Sequence, residues 1–126
     1  MINELSHIGV AVADVDEAIS FFEEKLGAKL IQKISMPWIQ QISALMSLGN
    51  FNLEVMQGTA DDSVISKFVR EKGEGIHHIS VKVDEWQKGL EEFEGKGLRI
   101  IGKNADMRTA FIHPKTCKGI LMEVTQ

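Results

Sequence analysis

The sequence predicts an α+β domain built from two tandem β-α-β-β-β modules. The first observation is a repeated phrase, which reads HIGVAV at residues 7–12 and HISVKV at residues 78–83. A second phrase recurs as LEVMQ at 53–57 and MEVTQ at 122–126, so the two offsets are 71 and 69 residues. Repeats at a nearly constant spacing indicate duplicated structural units.

The first module covers about residues 4–57. Residues 5–12 are rich in β-branched side chains and predict a strand. Asp14 is a predicted helix N-cap with Glu17 as its capping-box partner, and Gly27 ends the helix. The hairpin sequence Gly49-Asn50 predicts that two strands meet there. The module's three later strands are predicted at 28–34, 41–48 and 51–57.

The second module covers about residues 76–126 and repeats the same order. A linker at about 58–75 carries a short helix at 63–72. Asp84 is the predicted N-cap of the module's helix, which Gly97 ends as Gly27 ends the first. The strands are predicted at 76–83, 98–101, 108–113 and 119–124.

Composition narrows the classes of function. A chain of 126 residues predicts a single domain, 1–126. The net charge of −4 and the lack of a basic run argue against a nucleic-acid partner. No apolar stretch reaches membrane-spanning length, and the first residues do not read as a signal peptide. The single Cys117 precludes an intramolecular disulfide, which favours a cytoplasmic location.

Each module offers one histidine and one glutamate at matching places: His7 and Glu54, then His78 and Glu123. Taken alone, a histidine in a strand is usually a structural residue that makes a hydrogen bond, and a glutamate in a strand usually faces solvent. A glutamate between apolar strand residues nevertheless requires water, a salt bridge or a metal. Because the pair is duplicated, the four residues predict a divalent metal site, without distinguishing Zn, Ni, Co, Mn or Fe.

Other residues are weaker candidates for the site. His77 must face the opposite side of its strand from His78, which indicates a supporting or structural role. His113, before Pro114, either shapes a loop or contacts substrate, and Lys115 either binds a phosphate or belongs to an exposed turn. Met46 lies in a strand that would line the predicted cleft, although methionine is more often core filler.

The chain resembles the vicinal oxygen chelate (glyoxalase/bleomycin resistance/dioxygenase) superfamily. The resemblance is strongest to the methylmalonyl-CoA epimerases and weaker to glyoxalase I (lactoylglutathione lyase). It implies two modules in a curved, cleft-enclosing sheet, a homodimer, and His7, Glu54, His78 and Glu123 as ligands of one divalent ion. The stretches that carry it are HIGVAV at 7–12, DSVISKF at 62–68, GEGIHHI at 73–79, FIHPK at 111–115 and GILME at 119–123.

The resemblance implies proton abstraction beside a carbonyl group that the metal polarises. In the epimerases two glutamates serve the two faces of the carbon, and Glu123 matches one of them. Trp38 stands where the other would be, and no Asp or Glu occurs between Gln32 and Leu53. The loop 102–107 is also shorter than is usual for the family and lacks its glycine run. Trp38 would then be a substrate-stacking wall or fill a reduced pocket.

Four functions are compatible with these residues. The first is a metal-dependent epimerase or isomerase that stabilises the enolate of a small acyl thioester. The second is a lactoylglutathione lyase, which needs only Glu54 and Glu123 as bases. The third is a non-enzymatic small-molecule-binding module, a class that generally lacks the ligand set. The fourth is a dioxygenase with two histidines and one carboxylate, in which Glu54 is not a ligand. The candidate substrate contacts are Trp38, His113, Lys115 and Met46.

Overall fold

The computed structural model describes all residues, 1–126. It contains eight strands and three α-helices. Short 3-10 helices at Pro37–Ile39 and Pro114–Thr116 follow β2 and β7. The elements are β1 (Ile2–Ala11), α1 (Val15–Leu26), β2 (Lys29–Met36), β3 (Gln41–Leu48), β4 (Phe51–Gly58), α2 (Val64–Lys72), β5 (Gly75–Val83), α3 (Trp86–Gly95), β6 (Ile100–Asn104), β7 (Thr109–Ile112) and β8 (Met122–Thr125).

The chain divides into two compact units, and the division cuts β1 and β5 rather than the linker. The first unit is Ile8–His77, and the second unit is Met1–His7 with His78–Gln126. Each unit has the same strand arrangement: β2-β3-β4-β1 in the first and β6-β7-β8-β5 in the second. The predicted α+β class with two β-α-β-β-β modules is therefore confirmed.

In each module the last strand pairs in parallel with the first. Gly9 of β1 lies opposite Glu54 of β4 in the first unit. Ser80 of β5 lies opposite Glu123 of β8 in the second unit. A parallel partner requires a crossover connection, and α1 and α3 provide it. The repeated glutamates therefore occupy equivalent positions in the two units.

The core of the first unit lies between α1 and one face of its strands. Asp14 caps α1 as predicted, because its Oδ1 accepts the Glu17 amide at 3.0 Å. Gly27 closes the helix with a φ of 70°, a left-handed conformation that suits glycine. The buried core residues are Val12, Val15, Ile19, Ala28, Ala44, Met46, Leu53 and Val55.

The core of the second unit is built in the same way beneath α3. Gly89 allows this helix to approach its strands closely, since a Cβ at that position would lie 3.1 Å from a Val83 methyl group. Glu123 lies on the other face of its strand, because its neighbours Met122 and Val124 pack into the core. The buried core residues are Val81, Val83, Trp86, Leu90, Phe93, Ala110, Ile112 and Val124.

The start of α3 corrects one prediction. The N-cap is Glu85, not Asp84, and its side chain makes no capping hydrogen bond. The Asp84 carboxylate instead accepts the Asn3 side-chain amide at 2.5 Å. The Trp86 amide donates to Gln126 Oε1 at 2.9 Å, so the cap comes from the residue after β8. A local sequence pattern could not show this contact, because it joins distant residues.

The same cap recurs in the first unit, where the Val15 amide donates to Gln57 Oε1 at 2.8 Å. Gln57 and Gln126 are the last residues of the repeated phrases LEVMQ and MEVTQ. In both modules, therefore, the glutamine at the end of the repeated phrase accepts a hydrogen bond from the N-terminus of the module's helix. Sequence reasoning noted the phrases without assigning a role to these glutamines.

The predicted linker helix is α2, which packs on the first unit through Ile65 beside Ala11 and Met56. Its N-cap is Ser63, whose hydroxyl accepts the Ser66 amide at 3.1 Å. None of the three helices is both long and apolar enough to span a membrane.

We expect Gln57→Ala to lower the free energy of unfolding by about 1 kcal/mol, because the α1 N-terminus loses a side-chain acceptor. Chemical denaturation measures the change. Gln87→Ala is the control, because Gln87 makes only an exposed bond to Glu91 within α3. Equal effects of the two substitutions would contradict a capping role for Gln57.

Candidate functional site

Three of the four predicted ligands meet in the second unit. The candidate ligand atoms of His7, His78 and Glu123 all lie within 4.8 Å of one another. The two histidine Nε2 atoms are 3.2 Å apart. Glu123 Oε1 is 3.6 Å from His7 Nε2. Two nitrogen donors and one oxygen donor are therefore close enough together to bind one ion.

Strand geometry explains why these side chains converge. Ser80 is paired with Glu123, and His78 lies two residues before Ser80. Side chains two residues apart share a face of a strand, so His78, Ser80 and Glu123 project from one side of the sheet. That side is opposite the α3 core, where Val81 and Val124 are buried. The end of the unit's own β1 segment brings His7 beside them.

The three side chains are shielded from solvent. His78 is 4% exposed, and the side chains of His7 and Glu123 are 15% exposed each. A carboxylate removed from water needs a compensating charge or several hydrogen bonds. A divalent ion would supply that charge.

The donor set fits such an ion. Two nitrogens that each lie about 2.1 Å from one ion, at angles between about 90° and 109°, are separated by about 3.0–3.4 Å. The observed 3.2 Å between the Nε2 atoms of His7 and His78 falls in that interval. Imidazole with carboxylate suits Zn, Ni, Co, Mn or Fe, in agreement with the prediction.

Further side chains hold the ligands. Ser6 Oγ lies 3.1 Å from His7 Nδ1, and with that nitrogen engaged Nε2 is left for a ligand. The buried Ser80 hydroxyl donates to Glu123 Oε1 at 2.7 Å. The Phe111 ring meets His78 edge-on, with centroids 5.9 Å apart. Sequence reasoning missed Ser80 and Phe111, because finding them requires the register of β5, β7 and β8.

Glu54, the fourth predicted ligand, belongs to the first unit. It is half-buried in β4, opposite Gly9 of β1. Its strand neighbours Leu53 and Val55 are buried against α1, so Glu54 projects from the opposite face. Its role as a ligand stays a prediction.

His77 lies beside the ligand His78 in sequence but has different surroundings. Its ring meets Phe68 of α2 edge-on, with centroids 5.0 Å apart. Burial lowers the pKa of His77 below its usual range, and Lys72 adds to this while Glu54 opposes it. These contacts favour the predicted structural role.

Three of the candidate substrate contacts lie in or beside the two 3-10 helices. Trp38 is 64% exposed, within the 3-10 helix that follows β2. His113 caps the 3-10 helix after β7, where its Nδ1 accepts the Lys115 amide at 3.0 Å. The Lys115 side chain is exposed. The loop-shaping alternative for His113 is thus supported by a contact, and its role towards substrate stays a prediction.

The structure corrects the expectation that Met46 lines a substrate site. Met46 is fully buried in the first core. It pairs with Leu53, whereas its neighbour Leu45 pairs with Glu54. Directly opposed residues in an antiparallel ladder share a face, so Met46 lies on the α1 side and not on the face of Glu54. The sequence alone did not fix this register.

Comparisons with known proteins agree with the fold. The profile of the Glyoxalase/Bleomycin resistance protein/Dioxygenase superfamily matches residues 6–111. Mitochondrial methylmalonyl-CoA epimerase of Mus musculus is 30% identical, covering 99% of this chain and 74% of the relative. The crystal structure of methylmalonyl-CoA epimerase from Mycobacterium tuberculosis is 27% identical with a TM-score of 0.88, covering 98% of this chain and 87% of that one.

A probable chloroplastic lactoylglutathione lyase of Arabidopsis thaliana is a more distant relative. It is 27% identical over 94 residues, which are 75% of this chain and 26% of the relative. Both predicted resemblances are therefore confirmed. The chain is an enzyme of the glyoxalase/bleomycin resistance/dioxygenase superfamily, and it belongs with the methylmalonyl-CoA epimerases of that superfamily.

Proposed function

We propose that this chain is a divalent-metal-dependent epimerase of a small acyl-CoA thioester of the methylmalonyl-CoA type. The observation that supports the proposal is the convergence of the candidate ligand atoms of His7, His78 and Glu123 within 4.8 Å of one another. Relatives that are methylmalonyl-CoA epimerases make the acyl thioester the best-supported substrate class.

His7, His78 and Glu123 would hold the ion, and the sequence repeat nominates Glu54 as the fourth ligand. A bound divalent ion supplies Lewis-acid polarisation of a carbonyl group, which acidifies the adjacent C–H bond. Ser6 and Ser80 orient His7 and Glu123 through hydrogen bonds. His78 is almost completely buried, so water has little access to its side of the site.

Glu123 is the proposed base. Its carboxylate accepts the proton from the α-carbon and returns it, as general acid–base catalysis requires. Lys115 lies in the 3-10 turn after β7 and Lys118 follows that turn, and Lys115 is the proposed contact for a CoA phosphate. We also propose a homodimer and a reducing, cytoplasmic setting, the latter in keeping with a lone free Cys117.

Because Trp38 stands where a second base would be, Glu123 is the only proposed base for the reaction. Inversion of the α-carbon needs proton donation to the face opposite the one from which the proton left. Indole has no basic group for this step, and no carboxylate occurs between Gln32 and Leu53. A single base at Glu123 therefore predicts proton exchange at one face that is faster than inversion.

The metal-loaded protein should exchange the α-proton of methylmalonyl-CoA with deuterium from D2O, as measured by NMR. We expect Glu123→Gln to lower the exchange rate by about 10²-fold or more, because the base is lost. Glu24→Gln, on the exposed side of α1, is the matched control. Absence of exchange in the metal-loaded wild type would refute the epimerase proposal.

Trp38→Glu should raise the ratio of epimerisation to exchange by about tenfold or more, because it returns a carboxylate to the second face. The ratio comes from chiral analysis of the thioester beside the NMR exchange rate. Trp38→Gln is the control, because it removes the indole without adding a base. Equal ratios of epimerisation to exchange in Trp38→Gln and Trp38→Glu would show that position 38 does not act on the second face of the α-carbon.

A lactoylglutathione lyase is the second candidate, favoured by the lack of a second base near Trp38 and by the lyase relative. It predicts turnover of the methylglyoxal hemithioacetal of glutathione or bacillithiol, followed by absorbance. Trp38→Glu should leave this rate within about twofold while Glu123→Gln abolishes it. Turnover of the hemithioacetal without deuterium exchange in methylmalonyl-CoA would replace the epimerase proposal with this one.

A further inference from the structure

Ser80 is a buried hydroxyl whose hydrogen-bond partner is a predicted metal ligand. It is 0% exposed, among the most completely buried side chains in the chain. Its Oγ donates to Glu123 Oε1 at 2.7 Å. That distance is at the long end of the range for a hydroxyl that donates to an ionised carboxylate.

The hydrogen bond acts on the oxygen that faces the histidines. Glu123 Oε1 both accepts the Ser80 hydroxyl and lies 3.6 Å from His7 Nε2. Ser80 is also the backbone partner of Glu123 in the β5–β8 ladder. The hydroxyl therefore restrains a side chain with three rotatable bonds from a position fixed by the sheet.

The sequence repeat shows that the Ser80 hydroxyl has no counterpart in the first module. The residue 71 positions before Ser80 is Gly9, which lies opposite Glu54 in the equivalent β1–β4 ladder. Glycine has no side chain, so position 9 offers Glu54 no hydroxyl. The two glutamates are equivalent in register, and Glu123 alone is held from the opposite residue by a side chain.

We propose that Ser80 is a positioning residue that presets Glu123 Oε1 as a metal donor, so that three donors are assembled before the ion arrives. The inference rests on the proposed metal site. Partners of ligating side chains fix ligand orientation, and their loss typically weakens metal binding by about 10–100-fold. Ser80 thus makes Glu123 the fixed carboxylate of the site.

Isothermal titration of the full chain with Zn²⁺ tests the inference. We expect Ser80→Ala to raise the dissociation constant by about 10–100-fold and Ser80→Thr, which keeps the hydroxyl, to raise it less. Ser43→Ala is the matched control: it removes a buried strand hydroxyl that accepts the Gln41 amide and should leave the constant within about twofold.

A double-mutant cycle separates positioning from a general loss of structure. In the Glu123→Ala background, Ser80→Ala should change the dissociation constant by less than about twofold, because the carboxylate through which the hydroxyl acts is gone. The visible absorption spectrum of the Co²⁺ form should also change in Ser80→Ala and not in Ser43→Ala. If Ser80→Ala does not fold, Ser80→Gly, which places in β5 the residue found at the equivalent position 9, carries the same comparison.

The outcomes distinguish this inference from the proposed function. A wild-type chain that binds neither Zn²⁺ nor Co²⁺ would overturn the proposed metal site and the inference with it. A wild type that binds them, with unchanged constants and Co²⁺ spectrum in Ser80→Ala, would overturn only the role of Ser80. An equal loss in the Glu123→Ala background would likewise overturn it.

Discussion

The parallel pairing of the first and last strands of each module is the constraint on which the rest of the structure depends. It sets Gly9 opposite Glu54 and Ser80 opposite Glu123, at positions two residues beyond His7 and His78. A shift by one residue would turn each glutamate into the α1 or α3 core. The burial of Val55 and Val124 beneath the helices resists that shift, so the apolar core also fixes the polar site.

Much of this arrangement could be predicted from the sequence, because the repeat encodes it. The offsets of 71 and 69 residues nominated the four candidate ligands, and three of them meet within 4.8 Å. The predictions that failed depend on register and on distant contacts. The face on which Met46 lies follows from its pairing with Leu53, which the sequence does not show. The N-terminus of α3 is capped by Gln126, which follows β8, and not by Asp84. The Ser80 hydroxyl could be recognised only once β5 and β8 were aligned.

The duplicated scaffold carries two carboxylates in different surroundings. Glu123 lies with two histidines and a buried serine, whereas Glu54 lies opposite a glycine and influences the pKa of His77. The repeated register therefore places the two acidic groups at equivalent positions, and the residues opposite them differ. Trp38 lies outside the repeated phrases, and in the proposed mechanism it concerns the second base and not the ligands.

The glutamine caps carry a consequence for the order of folding. The Gln57 and Gln126 contacts join residues 42 and 40 positions apart, so neither cap forms until the last strand of its module has docked. The helix α1 also has a local cap in Asp14, whereas the N-cap side chain of α3 makes no such bond. Since contacts that close long loops form late, α1 can become helical early, while the N-terminus of α3 gains its acceptor only after β8 has docked.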